Sequence, residues 1–240
     1  MKLDARDMTF DTLNDAVRRS SDNEIVIDNC EGQRYIGAGS KNKRITINGT
    51  PGNALGCYMD GTTIDVMGNA QDATGDTMNG GEIRIFGSAG DACGYAMRGG
   101  RIFVRDNAGY RTGIHMKEYQ DKKPIIVIGN TVGSFFGEYQ AGGVLMVLGM
   151  NCEKKNPVGN YCSVGMHGGK MYIRCDELPK DLPSQVVSHK ANDEDMDRIH
   201  PILEEFCGCF GYKMADVLKK PFYVLIPNTN NPYRSLYTPN

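Results

Sequence analysis

The sequence predicts an all-β fold, a single-stranded parallel β-helix of about seven coils, with a short N-terminal capping helix and a small helical and extended C-terminal tail. Three observations predict it. Glycines recur at even intervals, apolar residues recur in strand-sized pairs, and both repeat every 19 residues through the middle of the chain. The stretch GNAQDATGDTMNGGEIRIFGSAGDACGYAMRGGRIFV, residues 68–104, says nearly the same thing twice.

The repeat reads off as columns. Ile45, Ile64, Ile83 and Ile102 align, and so do Ile47, Val66, Ile85 and Val104 two positions later. Such alternation marks a strand with one buried face. Gly56, Gly75, Gly94 and Gly113 form a column, as do Met59, Met78, Met97 and Met116; Gly61, Gly80 and Gly99 close each row. A row this short has no room for a helical repeat of about 33 residues or more, but it fits one coil with three short faces. Coils stacked at strand spacing place each side chain above its equivalent, so seven coils span about 34 Å. The Met column is read as flexible core filler, in preference to a metal or haem ligand set that would have to recur in every coil.

The glycines have two readings. A phosphate cradle needs one glycine-rich loop between a strand and a helix N-terminus. Here Gly49/Gly52/Gly56 and Gly87/Gly90/Gly94 repeat one spacing with no helix pattern behind it. Corners, where the backbone takes positive φ or approaches another backbone, are the reading we adopt.

The elements follow in order. Thr9 to Arg19 reads as an amphipathic helix with Phe10, Leu13, Ala16 and Val17 on one side, set to cap the N-terminal end of the stack. Glu24 to Cys30 and Arg34 to Gly39 form an irregular first turn. Rows starting at Ile125, Leu145 and Met171 continue the repeat, with insertions at His115–Lys123 and Asn151–Asn160 that mark surface bulges. Leu178 to Pro183 reads as an extended linker. Asn192 caps a helix from Asp193 to about Phe206, and a second short helix covers Lys213 to Lys219. Pro221 to Asn240 reads as an extended docking arm. The expected division is residues 1–23 as the capping helix, 24–175 as the β-helix, and 176–240 as linker, helices and tail.

Bulk properties exclude some function classes. A net charge of −2 offers no electrostatic case for nucleic acid or an anionic membrane. Met1 is followed by Lys2-Leu3-Asp4-Ala5-Arg6-Asp7 with no apolar run, and Val144 to Met150 is too short to span a bilayer. The expected location is therefore the cytoplasm, with the eight cysteines as free thiols.

The repeated Gly-x-x-Gly-x-x-x-Gly rows carry a recurring step, Met78-Asn79-Gly80-Gly81-Glu82-Ile83 and Met97-Arg98-Gly99-Gly100-Arg101-Ile102. With Arg34-Tyr35-Ile36-Gly37, FYVLIP at 222–227 and NPYRSLY at 231–237, they resemble the GXGXG domain, the C-terminal β-helix of the glutamate synthase large subunit. Similar coils occur in the C subunit of formylmethanofuran dehydrogenase. The resemblance covers nearly the whole chain and implies a right-handed coil. It also implies a non-catalytic structural subunit in glutamate biosynthesis and nitrogen metabolism, buttressing a glutaminase-type amidotransferase subunit and an FMN-binding synthase subunit. FMN and an iron–sulfur cluster are then expected in those partners and none in this chain. Standing alone is a departure from the large-subunit pattern, and no catalytic, cofactor or metal residue is carried over.

The residues themselves agree. Cys207-x-Cys209 has a metal or redox reading, set against small half-buried helix residues, which we favour. His115 lies one row from Cys93, but register alone does not join the two side chains. His167 shares a polar column with Asp60, Asn79 and Arg98. Asp72 and Asp91 suit a sugar-cleaving groove or corner turns equally. Asp193-Glu194-Asp195 matches the acids a helix N-terminus attracts as well as it matches a cation site. A groove enzyme, a formylmethanofuran dehydrogenase-type scaffold and a homo-oligomer remain the competing readings.

Overall fold

The computed structural model describes residues 1–228. Its strands form one sheet: β1 (Lys2–Asp4), β2 (Glu24–Glu31), β3 (Arg44–Thr50), β4 (Thr63–Val66), β5 (Glu82–Ile85), β6 (Arg101–Val104), β7 (Ile125–Ile128), β8 (Ala141–Val147), β9 (Gly168–Arg174), β10 (Val186–Lys190) and β11 (Phe222–Pro227). Nine consecutive strands, β1 to β9, pair in parallel, each with the next. Parallel neighbours require a long crossover. Here the remainder of each row supplies it, without a helix.

The sequence columns are the register. Ile45, Ile64, Ile83, Ile102, Ile126, Leu145 and Met171 pair in succession. Two positions on, Ile47, Val66, Ile85, Val104, Ile128, Val147 and Ile173 do the same, and every one of these side chains is fully buried. A second parallel line joins Ala70, Ala89, Ala108 and Val132. Along a third, the amides of Gly56, Gly75, Gly94 and Gly113 donate to the carbonyls of Ile36, Leu55, Thr74 and Cys93 in the row before, at 2.7–2.8 Å. Three lines of contact per row leave few backbone groups unpaired, as burial demands.

The interior holds the strand residues and the Met column, which continues as Gln140 and Met166. Gln140 stands where β8 and β9 shift register, and its Nε2 lies 3.2–3.3 Å from the carbonyls of Gly142, Gly143 and Lys170.

At the N-terminal end, α1 (Phe10–Arg19) is capped by the Thr9 side chain and buries Leu13 and Val17 in the core. The end has a second cover that patterning does not reveal: β1 pairs with β2, Leu3 opposite Ile27. A three-residue strand is too short to show alternation. Deleting residues 1–20 removes both covers, so the truncated chain is expected to melt earlier and to self-associate on size-exclusion chromatography. A monodisperse product with an unchanged melting temperature would overturn this.

At the other end, the 178–183 segment has no regular structure, but Leu178 and Leu182 pack on the core. The helix starting at Asp193 runs to Phe210 rather than Phe206: α2 (Asp193–Phe210) passes through Gly208 and stops where Gly211 takes φ 74°. The next helix, α3 (Met214–Val217), is shorter than its expected span. The expected extended arm is corrected for its first part. Phe222–Pro227 enters the sheet antiparallel, between β9 and β10. Its alternation explains this, with Phe222 and Val224 packing toward α2 while Leu225 joins the main core. The remainder of that arm, residues 229–240 with NPYRSLY, lies outside the described residues.

Helix α2 covers the outer face of the sheet over its later rows. The outward column runs Thr46, Asp65, Arg84, Phe103, Val127, Met146, Tyr172. It changes from polar to apolar where Ile199, Leu203 and Phe206 pack on it. Arg174 ties this layer down: its guanidinium donates to the carbonyls of Val217 (2.5 Å), Leu148 (2.7 Å) and Asp216 (2.9 Å). Burial holds its pKa below the usual arginine value. Among the described residues, no helix is long and apolar enough to cross a membrane.

Candidate functional site

Each row contains an arch in which every second residue has positive φ. Arg111, Gly113 and His115 take 57°, 73° and 56°; Phe135, Gly137 and Tyr139 take 62°, 66° and 53°. The amides alternate in direction. Those of Arg111 and His115 donate forward to the Ser134 and Glu138 carbonyls, both at 2.9 Å, and that of Gly113 donates back to Cys93. The central position is glycine up to Gly137 because its Cβ would enter the core; at Gly113 it would sit 2.7 Å from Leu145 Cδ2. The flanking positions carry side chains at positive φ, at a cost of about 1 kcal/mol or more each. The arch's backbone hydrogen bonds offset that cost.

What the flanks carry changes along the stack. Early rows place mostly small residues there, Ala54, Ala73, Thr77, Ala92 and Ala96, with Tyr35 and Tyr58 as the exceptions; later rows place Arg111, His115, Phe135, Tyr139 and Tyr161. The result is a band of ring contacts. His115 stacks on Tyr139 at 5.1 Å and 8°, and meets Tyr95 edge-on at 5.9 Å. Phe135 lies 5.2 Å from Tyr110 and 4.9 Å from Tyr161. The Arg111 guanidinium sits 4.9 Å over Tyr110 and 5.5 Å over Phe135, while its Nε donates to Glu138 Oε2 at 2.9 Å. Tyr161 is 54% exposed and Tyr139 41%, so large apolar rings face water on a rigid backbone. Tyrosine and arginine on pre-ordered backbone give interfaces much of their binding energy. Sequence columns flag these positions only through the central glycine they flank.

The residues weighed from sequence separate clearly. Cys93 points inward and is fully buried, whereas His115 faces out, so the two do not meet. Burial pushes the Cys93 thiol up to about 12, away from thiolate chemistry. Cys207 packs among Phe206 and its neighbours in the α2 layer, while Cys209 lies beside Arg84 in a cleft with Glu82 and Glu205. Positions two apart on a helix face different directions. Burial raises both thiols. Met59, Met78, Met97 and Met116 are fully buried core.

The acids have backbone work. Asp72 Oδ1 accepts the Asp91 amide at 2.9 Å, and Asp91 Oδ1 accepts the Tyr110 amide at 2.8 Å, so each caps the row after it. Asp195 closes a capping box with Asn192 and accepts from His189 Nε2 at 2.8 Å and Lys170 Nζ at 3.2 Å. Burial alone would raise its pKa. The His189, Lys170 and Asn192 contacts outweigh burial and hold the carboxyl below its ordinary value. Glu194 pairs with Arg198. His167 Nδ1 lies 2.9 Å from the Gly165 carbonyl. Among the described residues, no three His, Cys, Asp or Glu side chains gather as a metal site.

Comparison with known proteins places this geometry. A family model described as the GXGXG motif matches residues 26–228. An uncharacterized protein of Methanocaldococcus jannaschii, MJ1350, is 43% identical over 253 residues, covering 99% of this chain and 96% of that protein. A chain of the formyltransferase/hydrolase complex FhcABCD from Methylorubrum extorquens, solved with methylofuran, is similar in fold. Its TM-score is 0.59 at 20% identity, over 87% of this chain and 80% of that one.

Proposed function

We propose that this chain, which belongs to the GXGXG family, is a non-catalytic structural subunit of a glutamate synthase-like flavin and iron–sulfur oxidoreductase. Its rows form a right-handed parallel β-helix of about seven coils. Parallel pairing with a crossover in every row supports the coil, and the near-universal right hand of such crossovers supports its sense. The helix buttresses a separate glutaminase-type amidotransferase and an FMN-binding synthase subunit in the cytoplasm, and FMN and the iron–sulfur cluster reside in those partners.

The observation that carries this reading is the aromatic band on the arches. Its rings and Arg111 lie on backbone bonded to the rows on either side, so docking a subunit orders little new structure. A second reading, a scaffold of a formylmethanofuran dehydrogenase-type complex, is favoured by the fold likeness to a chain of FhcABCD.

The test is a gentle pull-down of the tagged chain from its native host, followed by mass spectrometry and a flavin absorbance scan. Recovery of a glutaminase-like chain and an FMN/iron–sulfur chain supports the first reading. Recovery of a molybdenum or tungsten enzyme supports the second. Recovery of the chain alone and colourless overturns both. The double substitution Phe135→Ala and Tyr139→Ala is expected to weaken partner retention about 100-fold or more, as loss of two interface anchors does. Unchanged retention would remove the band from the interface.

A further inference from the structure

The first arch of the stack has no arch before it to satisfy its end groups. In later rows the amide of the central glycine donates back one row: Gly56 to Ile36, Gly75 to Leu55 and Gly94 to Thr74. Gly37 holds that position in the first arch, at φ 72°. Helix α1 lies there instead. It satisfies one end group, because Asn14 Nδ2 donates to the Arg34 carbonyl at 2.7 Å. It offers nothing to the amide of Gly37, a buried residue whose N–H has no acceptor among the described residues. A buried amide normally has one.

Pointing back as its equivalents do, this amide faces a cleft of about 320 Å³ between α1 and the first arch. Its walls include Val17, Arg18, Tyr35, Gly37, Lys41 and Lys43. That volume suits a small molecule. Three of the lining residues are cationic and none is acidic. Arg18 pairs with Asp15, which does not line the cleft, and Lys43 donates to the carbonyls of Ser20 and Asp22. Lys41 has no partner among the described residues. An unfilled donor in a recess of one charge sign draws an anion. The Ala38 carbonyl opens the same way: its equivalents in the next two arches, Cys57 and Asp76, accept from Gly39 and Tyr58 in the arch before. It is free to take a hydroxyl.

We propose that this cleft binds a small phosphate monoester. Its phosphate accepts from the Gly37 amide and the Lys41 ammonium, in the field of Arg18 and Lys43. Three cations without an acid favour such a doubly charged group over a carboxylate. Its organic part lies against the Tyr35 ring, which is 45% exposed, with a hydroxyl on the Ala38 carbonyl. The glycines of the later arches offer no such site, because their central amides are already bonded to the row before. The site is separate from the aromatic band of the later rows and does not depend on the identity of the partner subunits.

The experiment is ¹H–¹⁵N NMR of the full chain titrated with glycerol 3-phosphate at fixed ionic strength, using inorganic phosphate and acetate as comparators. Without ligand, the Gly37 amide is expected to exchange with solvent faster than those of Gly56 and Gly75. Glycerol 3-phosphate should move the Gly37 resonance saturably in the millimolar range and slow its exchange. Lys41→Ala should weaken binding about tenfold through loss of one charge-assisted hydrogen bond. Its melting temperature should not change, because Lys41 is exposed. Four outcomes would each overturn the assignment: a Gly37 amide as protected as that of Gly56 in the free chain, no saturable shift at about 50 mM, equal affinity in Lys41→Ala, or acetate binding as tightly as the ester. Inorganic phosphate binding as tightly as the ester would also overturn it, leaving an adventitious ion only.

Discussion

Gly81→Ala is expected to destabilise the chain by about 4 kcal/mol, which for this length lowers the melting temperature by about 8–16 °C. Two penalties add at this residue. Its φ is +94°, outside the range an L side chain adopts comfortably. A Cβ there would also press into the Thr62 carbonyl oxygen and lie 2.9 Å from the Thr62 amide nitrogen. Those atoms belong to the row before, and they are backbone held in the parallel ladder, so no rotamer change relieves the clash. Gly39→Ala separates the two terms. Gly39 also has positive φ, +62°, but a Cβ there meets nothing within 4 Å. Its cost should be the backbone term alone, about 1–2 kcal/mol. Chemical denaturation of both variants is the measurement. Equal losses would mean that close approach between rows contributes nothing.

Phe206→Ala is expected to cost about 3–5 kcal/mol, the range for removing a buried aromatic ring. Phe206 is fully buried at the centre of the α2 layer, 5.7 Å from Phe103, 4.9 Å from Phe210 and stacked on Tyr212 at 5.8 Å. Its ring fills the space between the helix and the outward column of the sheet, and Gly129 approaches it so closely that an added Cβ would lie 3.1 Å from its Cζ. The loss should appear first in α2: its amides exchange faster with solvent, while those of β2 and β3, beyond its cover, keep their protection. Phe103→Ala should be strongly non-additive with it, since the two rings share one contact. A cost below about 1 kcal/mol, or additive losses, would sink the view that this contact docks the helix.

Much of the stack was legible because stacking itself creates the signal. A side chain lying above its equivalent meets the same environment in every row, so Ile64, Ile83 and Ile102 recur at one interval. The closing glycines show the limit of such reading. Gly80 and Gly99 share the sequence column with Gly61, but positive φ falls on Gly61, Gly81 and Gly100. The column therefore locates the corner without saying which residue of the pair turns it. The helix start at Asn192 was also legible, because a capping box is a local arrangement of side chain and backbone.

The aromatic band was not legible. Tyr95, His115 and Tyr139 lie about 20 residues apart with no shared column identity, and their stacking exists only once the arches turn their flanks outward. Tyr172 reads from sequence as one more strand residue; its burial under α2, from a later part of the chain, appears only in the folded structure.

The sequence by itself determined the rows, their parallel register and the burial of their apolar columns, because each depends on residues one row apart. Tertiary structure decided how the ends are covered and where the surfaces of interest lie. Helix α2 had to choose which outer face to cover, β11 had to enter between β9 and β10, and β1 had to find β2. Those choices rest on contacts between segments that share no periodicity. The physical reason is that a repeat specifies neighbours related by translation, whereas a helix laid across the sheet is specified by the matching of two unlike surfaces.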